Sequence, residues 1–148
     1  MTRHLITFGL DGLADRLRTY KSQGARFAKW REVYAIEENV PSQHGIEANA
    51  EMLARYAAVC QEEGLVPIVE PEVLMDGDHS IDRCYDVTEA TLHKVFEALV
   101  TQRVSLEGMV LKPNMVLSGK DAANRASAEE VAEKTVTCFR RTVPAAVP

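Results

Sequence analysis

Ile68-Val69-Glu70-Pro71-Glu72 is an apolar, strand-like run that ends on a carboxylate, and two other runs end on amines in the same way. They are Phe27-Ala28-Lys29-Trp30-Arg31 and Val110-Leu111-Lys112-Pro113-Asn114. Lys29 lies 41 residues before Glu70, and Lys112 lies 42 after it. Each interval accommodates one strand, one helix and their loops, the repeating unit of a parallel α/β fold. Charges at the same place in three successive units converge on one site. Two amines and a carboxylate are therefore expected to meet there.

Helical patterns lie between and around these runs. Leu10, Leu13, Leu17 and Tyr20 give helical spacing from Leu10 to Lys21, Gly24 stops it, and residues 25–31 read as a strand. A loop through Pro41 ends at Ser42, a good N-cap. The helix it opens runs to about Glu63, with Ile46, Ala50, Leu53, Tyr56, Ala57 and Cys60 on one face. Gly64 precedes a strand over 65–70, and Met75 to Ser80 is a turn cluster. A third helix is expected from about Asp82 to Gln102, with Val87, Thr91, Val95, Ala98 and Leu99 inward. The third strand spans 108–112. A polar loop from Ser118 to Ala126 leads to the capping box Ser127-Ala128-Glu129-Glu130, and the last helix ends near Thr142.

The order α-β-α-β-α-β-α implies right-handed crossovers and a parallel sheet in a single domain. Charges at the carboxyl ends of strands suit a (β/α)8 barrel, whose sites gather at that end. Three strands cannot close a barrel. The chain is either a barrel segment or a small open sheet.

Composition narrows the function classes. A chain of 148 residues, 46% hydrophobic and 26% charged, is ordinary for a globular protein. A net charge of −5 offers no electrostatic case for nucleic acid or an anionic membrane. Cys60, Cys84 and Cys138 lie in helical patterns at no zinc spacing and read as buried thiols. No apolar run approaches the ~20 residues of a bilayer span. The start, Met1 to Ile6, lacks a signal-peptide core, so a cytoplasmic setting is expected. His44, His79 and His93 have no partner at ligand spacing, and Asp76-Gly77-Asp78 is a turn rather than a calcium loop. No metal or cofactor is expected. Ser118-Gly119-Lys120-Asp121 fails the phosphate-loop pattern and reads as a mobile loop.

Alternate strand residues share a face, so Lys29 stands with Phe27 and Arg31, Glu70 with Ile68 and Glu72, and Lys112 with Val110. Trp30 points the other way, beneath a helix. A charge on an apolar strand face must be paired or functional. As functional groups, Lys29 and partial burial would favour neutral Lys112, whose amine attacks a ketone. Glu70, as a carboxylic acid, would assist loss of water from the carbinolamine. Arg31 and Lys29 would hold phosphate or balance Glu72. As structural groups, the same charges would be buried ion pairs. Spacing alone leaves both readings open.

The chain resembles the class I fructose-1,6-bisphosphate aldolases. The resemblance rests on Gly9-Leu10-Asp11-Gly12-Leu13, Gly24-Ala25-Arg26-Phe27-Ala28-Lys29-Trp30-Arg31, Ala54-Arg55-Tyr56-Ala57 and Val66-Pro67-Ile68-Val69-Glu70-Pro71-Glu72. It continues through Asp76-Gly77-Asp78-His79, Leu106-Glu107-Gly108, Leu111-Lys112-Pro113-Asn114-Met115-Val116 and Arg140-Arg141-Thr142-Val143-Pro144. The resemblance implies a lyase of (β/α)8-barrel fold that cleaves fructose 1,6-bisphosphate reversibly in glycolysis and gluconeogenesis. It implies that Lys112 is the Schiff-base lysine, Glu70 the general acid/base, and Lys29 an assisting and substrate-binding lysine. Glu72 and Arg31 would be supporting charges of that site, and a phosphorylated sugar its substrate.

By the same resemblance, residues 1–148 are one barrel segment lacking the first three and last two strands. Groups of the family site carried by those strands, two of them for phosphate, would lie elsewhere. The isolated chain is accordingly expected to be impaired and to self-associate into a homo-oligomer. Two rival readings are a non-enzymatic fragment that complements or self-associates, and a Schiff-base lyase acting on another keto substrate.

Overall fold

The computed structural model describes residues 4–148; Met1, Thr2 and Arg3, part of the leader reading, lie outside them. The elements are α1 (Leu13–Ser22), β1 (Phe27–Tyr34), α2 (Gln43–Glu62), β2 (Val66–Val73), α3 (Ile81–Thr101), β3 (Val110–Leu111) and α4 (Ala128–Thr142). A short 3-10 turn, Leu106–Gly108, leads into β3. The strands form one parallel sheet in the order β1-β2-β3.

The expected order of elements holds, and the boundaries move for local reasons. Helix α1 starts at Leu13 rather than Leu10, because Gly12 takes a left-handed conformation (φ 64°) that closes a turn before it. Strand β1 begins at Phe27 and continues three residues past Arg31, since burial still alternates through Trp30, Glu32 and Tyr34. Strand β2 likewise continues to Val73. Ser42, Ser80 and Ser127 each accept a backbone N–H three residues on, which fixes the starts of α2, α3 and α4.

Strand β3 is shorter than expected, and proline explains it. In a parallel strand, successive residues point their backbone groups to opposite neighbours. Val66 N and Leu74 N donate towards β1, to Arg26 O and Tyr34 O, so positions 67, 69, 71 and 73 face β3. Two of those four are Pro67 and Pro71, which have no N–H to give. The ladder therefore shrinks to the register Ile68↔Val110 and Val69↔Leu111, with Lys112 N donating to Val69 O at 2.9 Å. Pro113 ends it.

The core lies on one face of the sheet, under α2 and α3. Ile46, Ala50, Leu53, Tyr56, Ala57 and Cys60 of α2 are all buried, as their spacing predicts. Trp30 packs against Tyr56 with ring centroids 5.4 Å apart, beneath a helix as expected. The Tyr56 hydroxyl donates to Ala28 O at 2.6 Å. Cys60, Cys84 and Cys138 are buried free thiols. Among the described residues no helix is long and apolar enough to cross a membrane. Among the described residues no helix or strand lies over the opposite face of the sheet, and Phe27 there is 63% exposed.

The loop expected to be mobile at 118–121 is tied down instead. Gly119 N donates to His79 O at 2.8 Å, Lys120 N to Met75 O at 2.7 Å and Asp121 N to Gly77 O at 2.9 Å. The Lys120 ammonium pairs with Asp76 at 2.5 Å. A Cβ on Gly119 would collide with the Gly77 carbonyl and lie 2.9 Å from the His79 backbone nitrogen. Both obstacles are backbone, so a side-chain rotation cannot relieve the clash. Gly119→Ala should cost at least about 1–3 kcal/mol, the usual overpacking range. Thermal unfolding should show the loss, and amide exchange should quicken at Lys120 and Asp121; an unchanged melting temperature would count against the clamp.

Candidate functional site

The register of the sheet assembles the candidate residues. Arg31 lies directly opposite Glu70, and Lys29 opposite Ile68. Lys29, Arg31, Glu70, Glu72 and Lys112 all stand on the uncovered face, as side-chain alternation predicts, but Lys29 is the third residue of β1 and not at its carboxyl end, because β1 continues to Tyr34. Glu70 joins them. Its Oε2 lies 2.9 Å from the Lys29 ammonium, and its Oε1 accepts from Lys112 Nζ at 2.5 Å. Arg31 Nε is 3.9 Å from Glu70 and makes a close ion pair with Glu72.

Burial divides the group sharply. The Glu70 side chain is 4% exposed, whereas those of Lys29 and Lys112 are 46% and 61% exposed. The expectation that the strand partly buries Lys112 is not met, because no element lies over this face. Burial pushes the Glu70 carboxyl up, but the ammonium groups of Lys112 and Lys29 outweigh that effect and hold it below the usual carboxylate range. Both amines therefore favour its ionised form.

His44, His79 and His93 do not join the site. His79 is buried among the loops behind it, where burial holds its imidazole below the ordinary value. Among the described residues no three His, Cys, Asp or Glu side chains gather as a metal site.

Two residues near the site escaped the sequence reading. Glu32 is fully buried on the helix side of β1, accepting from Trp30 Nε1 at 2.8 Å and from Thr7 N at 3.0 Å. Burial raises its carboxyl despite those donors. The signal was its parity with Trp30, which placed a carboxyl under a helix. Asn114 is the other. Its Oδ1 accepts from Val73 N at 3.0 Å, and its Nδ2 donates to Thr88 Oγ1 at 3.1 Å and Met115 O at 3.0 Å.

Comparison with known proteins gives this geometry a family. The family model described as "Glycolytic: Fructose-bisphosphate aldolase class-I" matches residues 2–148. A "Probable fructose-bisphosphate aldolase class 1" from Xanthomonas campestris pv. campestris is 62% identical over 148 residues, covering 100% of this chain and 44% of the relative. "Fructose-bisphosphate aldolase, non-muscle type" from Lethenteron camtschaticum is 56% identical over 142 residues, covering 96% of this chain and 39% of the relative. A solved Plasmodium falciparum fructose-bisphosphate aldolase, in complex with TRAP and a small-molecule inhibitor, superposes with a TM-score of 0.97 at 48% identity. It covers 100% of this chain, which covers 43% of it. The chain thus spans less than half the length of these relatives. Its fold is that of the (β/α)8-barrel family, represented by three strands.

The two ion pairs have a pH signature. Because the Glu70 carboxyl is depressed in the folded chain, its contribution to stability is fully present above about pH 4.3, the ordinary glutamate value. That contribution is lost as pH falls through the lower folded value. Glu70→Gln should cost about 1 kcal/mol at neutral pH, since both partner amines are well solvated. In urea titrations the gap to the parent should narrow below roughly pH 4. A gap constant across that range would mean the carboxylate charge contributes nothing to folding.

Proposed function

The chain belongs to the class-I fructose-bisphosphate aldolase family, and from that premise we propose that it carries the covalent centre of a Schiff-base aldolase. The observation that carries the proposal is one buried carboxylate, Glu70, held between two amines from the strands' open face and rim. Three ionisable groups in contact supply each proton transfer that amine catalysis needs.

In this reading Lys112, giving up its proton, attacks the ketone carbon of fructose 1,6-bisphosphate to form a carbinolamine. Glu70 holds the proton so released and returns it to the departing hydroxyl, which leaves as water, and an iminium remains. The iminium draws in the electron pair of the adjacent carbon–carbon bond as Glu70 removes the proton of the hydroxyl beyond that bond. Glyceraldehyde 3-phosphate departs, and an enamine stays on Lys112. Protonation and hydrolysis of the enamine release dihydroxyacetone phosphate. Lys29 keeps Glu70 ionised between steps and binds substrate oxygens. Arg31, steadied by Glu72, offers a fixed fork to substrate phosphate.

In this reading the residues correspond to the middle of the barrel, and the first three and last two strands of the family fold are not among them. A phosphorylated sugar in the cytoplasm, on the glycolytic and gluconeogenic route, is the substrate class this reading assigns. Borohydride in the presence of dihydroxyacetone phosphate, with peptide mapping and the remaining barrel segments supplied, is expected to leave the adduct on Lys112. An adduct on Lys29 with Lys112 unmodified would transfer the nucleophile to β1.

On their own, the 148 residues present Phe27, Val66 and Val110 on the bare face, each at least 41% exposed, and two unpaired strand edges. Self-association through that face or an edge, with little aldolase turnover, is the expected behaviour. Sedimentation of a compact monomer that cleaves fructose 1,6-bisphosphate at the rate of a full-length relative would refute it.

A further inference from the structure

Five residues after the reactive lysine leave the sheet with no ladder to hold them. Pro113 has no N–H, and Pro71 offers none from the neighbouring strand. Backbone polar groups released in this way must find other partners. Here side chains provide them. Val116 N donates to Thr135 Oγ1 of α4 at 3.0 Å, and Leu117 N to Cys84 Sγ of α3 at 3.4 Å. Val73 N, the last β2 donor facing this segment, is taken by Asn114 Oδ1 at 3.0 Å. The Asn114 amide then donates to Thr88 Oγ1 of α3 at 3.1 Å and to Met115 O at 3.0 Å. Thr88 is buried, with 1% of its surface exposed.

Asn114 thus spans three elements at a point two residues beyond Lys112 and opposite the chain that leaves Glu70. Its Oδ1 takes the place of the backbone carbonyl that a longer ladder would offer Val73 N. Without it, β3 beyond Leu111 is tied to β2 by Lys112 N to Val69 O alone. Four rotatable bonds separate the Lys112 ammonium from its Cα, so its 2.5 Å contact with Glu70 is one conformer of many, and a backbone that wanders at Lys112 lowers the share of time spent in it. We propose that Asn114, held from α3 by Thr88, is a positioning residue that fixes Lys112 against Glu70. The proposal rests on the Schiff-base reading of Lys112 for its catalytic consequence, and on geometry alone for the ion pair.

The test uses the chain with the remaining barrel segments supplied, and three variants of it, Asn114→Ala, Thr88→Val and Thr88→Ser. Two readouts separate positioning from mere stability. One is the titration midpoint of the Glu70 carboxyl, followed by carbon NMR in the folded chain. The other is the yield of borohydride-trapped dihydroxyacetone phosphate on Lys112. Asn114→Ala and Thr88→Val are expected to raise the Glu70 midpoint towards the ordinary carboxylate value and to lower trapping by roughly 10- to 100-fold. Thr88→Ser keeps the hydroxyl and should restore both. If Asn114→Ala does not fold, Thr88→Val, which keeps Asn114 and removes only the hydroxyl it donates to, carries the comparison. Folded variants with the parent midpoint and parent trapping would overturn the proposal. No trapping in the parent, with the midpoint still moved, would sink the Schiff-base reading and support the positioning of the pair.

Discussion

A carboxylate with 4% of its side chain exposed cannot stand alone at the end of a central strand. Glu70 is tolerated because parallel pairing with β1 and β3 delivers cations to it from both sides. The constraint is strict, since side-chain period in a strand is two. Slipping β1 by one residue would turn Lys29 and Arg31 under the helices and bring Trp30 and Glu32 to the open face. It would lose the Trp30–Tyr56 packing and the Glu70 pairs together. Apolar packing on one face and charge pairing on the other therefore select the same register, the mutual agreement expected of a sequence with one stable fold.

The two prolines of β2 shape the site as much as its charges do. By removing donors towards β3 they shorten that strand to two residues, and the chain beyond Lys112 is released to become a loop. Its polar groups are recovered by side chains of α3 and α4 and by the clamp between residues 118–121 and 75–79. A longer ladder would have carried Lys112 and its successors straight across the carboxyl end of the sheet. The short one places Lys112 at the rim, with its ammonium free to turn towards Glu70.

Much of this was legible in the sequence. The α2 face and the serine caps follow from helical spacing and N-cap chemistry, and the coincidence of Lys29, Glu70 and Lys112 follows from strand parity and the near-equal intervals. Glu32 was not legible, because a carboxyl at an inward position reads as the end of a strand, and β1 was cut short there. Its burial depends on Thr7, 25 residues away, and local pattern does not report such a partner. The role of Asn114 was hidden for a related reason. Only the pairing of β2 with β3 shows that Val73 has a donor to place. Lys112 was expected to be partly buried by its strand, but its ammonium extends over the open face, where the side chain is 61% exposed.

That open face is itself graded along the strands. Towards the amino ends it carries Phe27 and Val66, with Ile68 and Val110 level with Lys29; further on it carries Arg31, Glu70, Glu72 and Lys112. A covering layer would pack against the first group and leave the second lining a cavity, because apolar area gains from contact while charges gain from a partner or a substrate. Covering also changes what the charges are worth. Two unit charges 4 Å apart interact by about 1 kcal/mol in water and about 4 kcal/mol at the effective dielectric of a protein surface. The contacts among Lys29, Glu70 and Lys112 bring three ionisable groups together. What the open face withholds is exclusion of water, which would turn a weak, solvated ion network into a strongly coupled one.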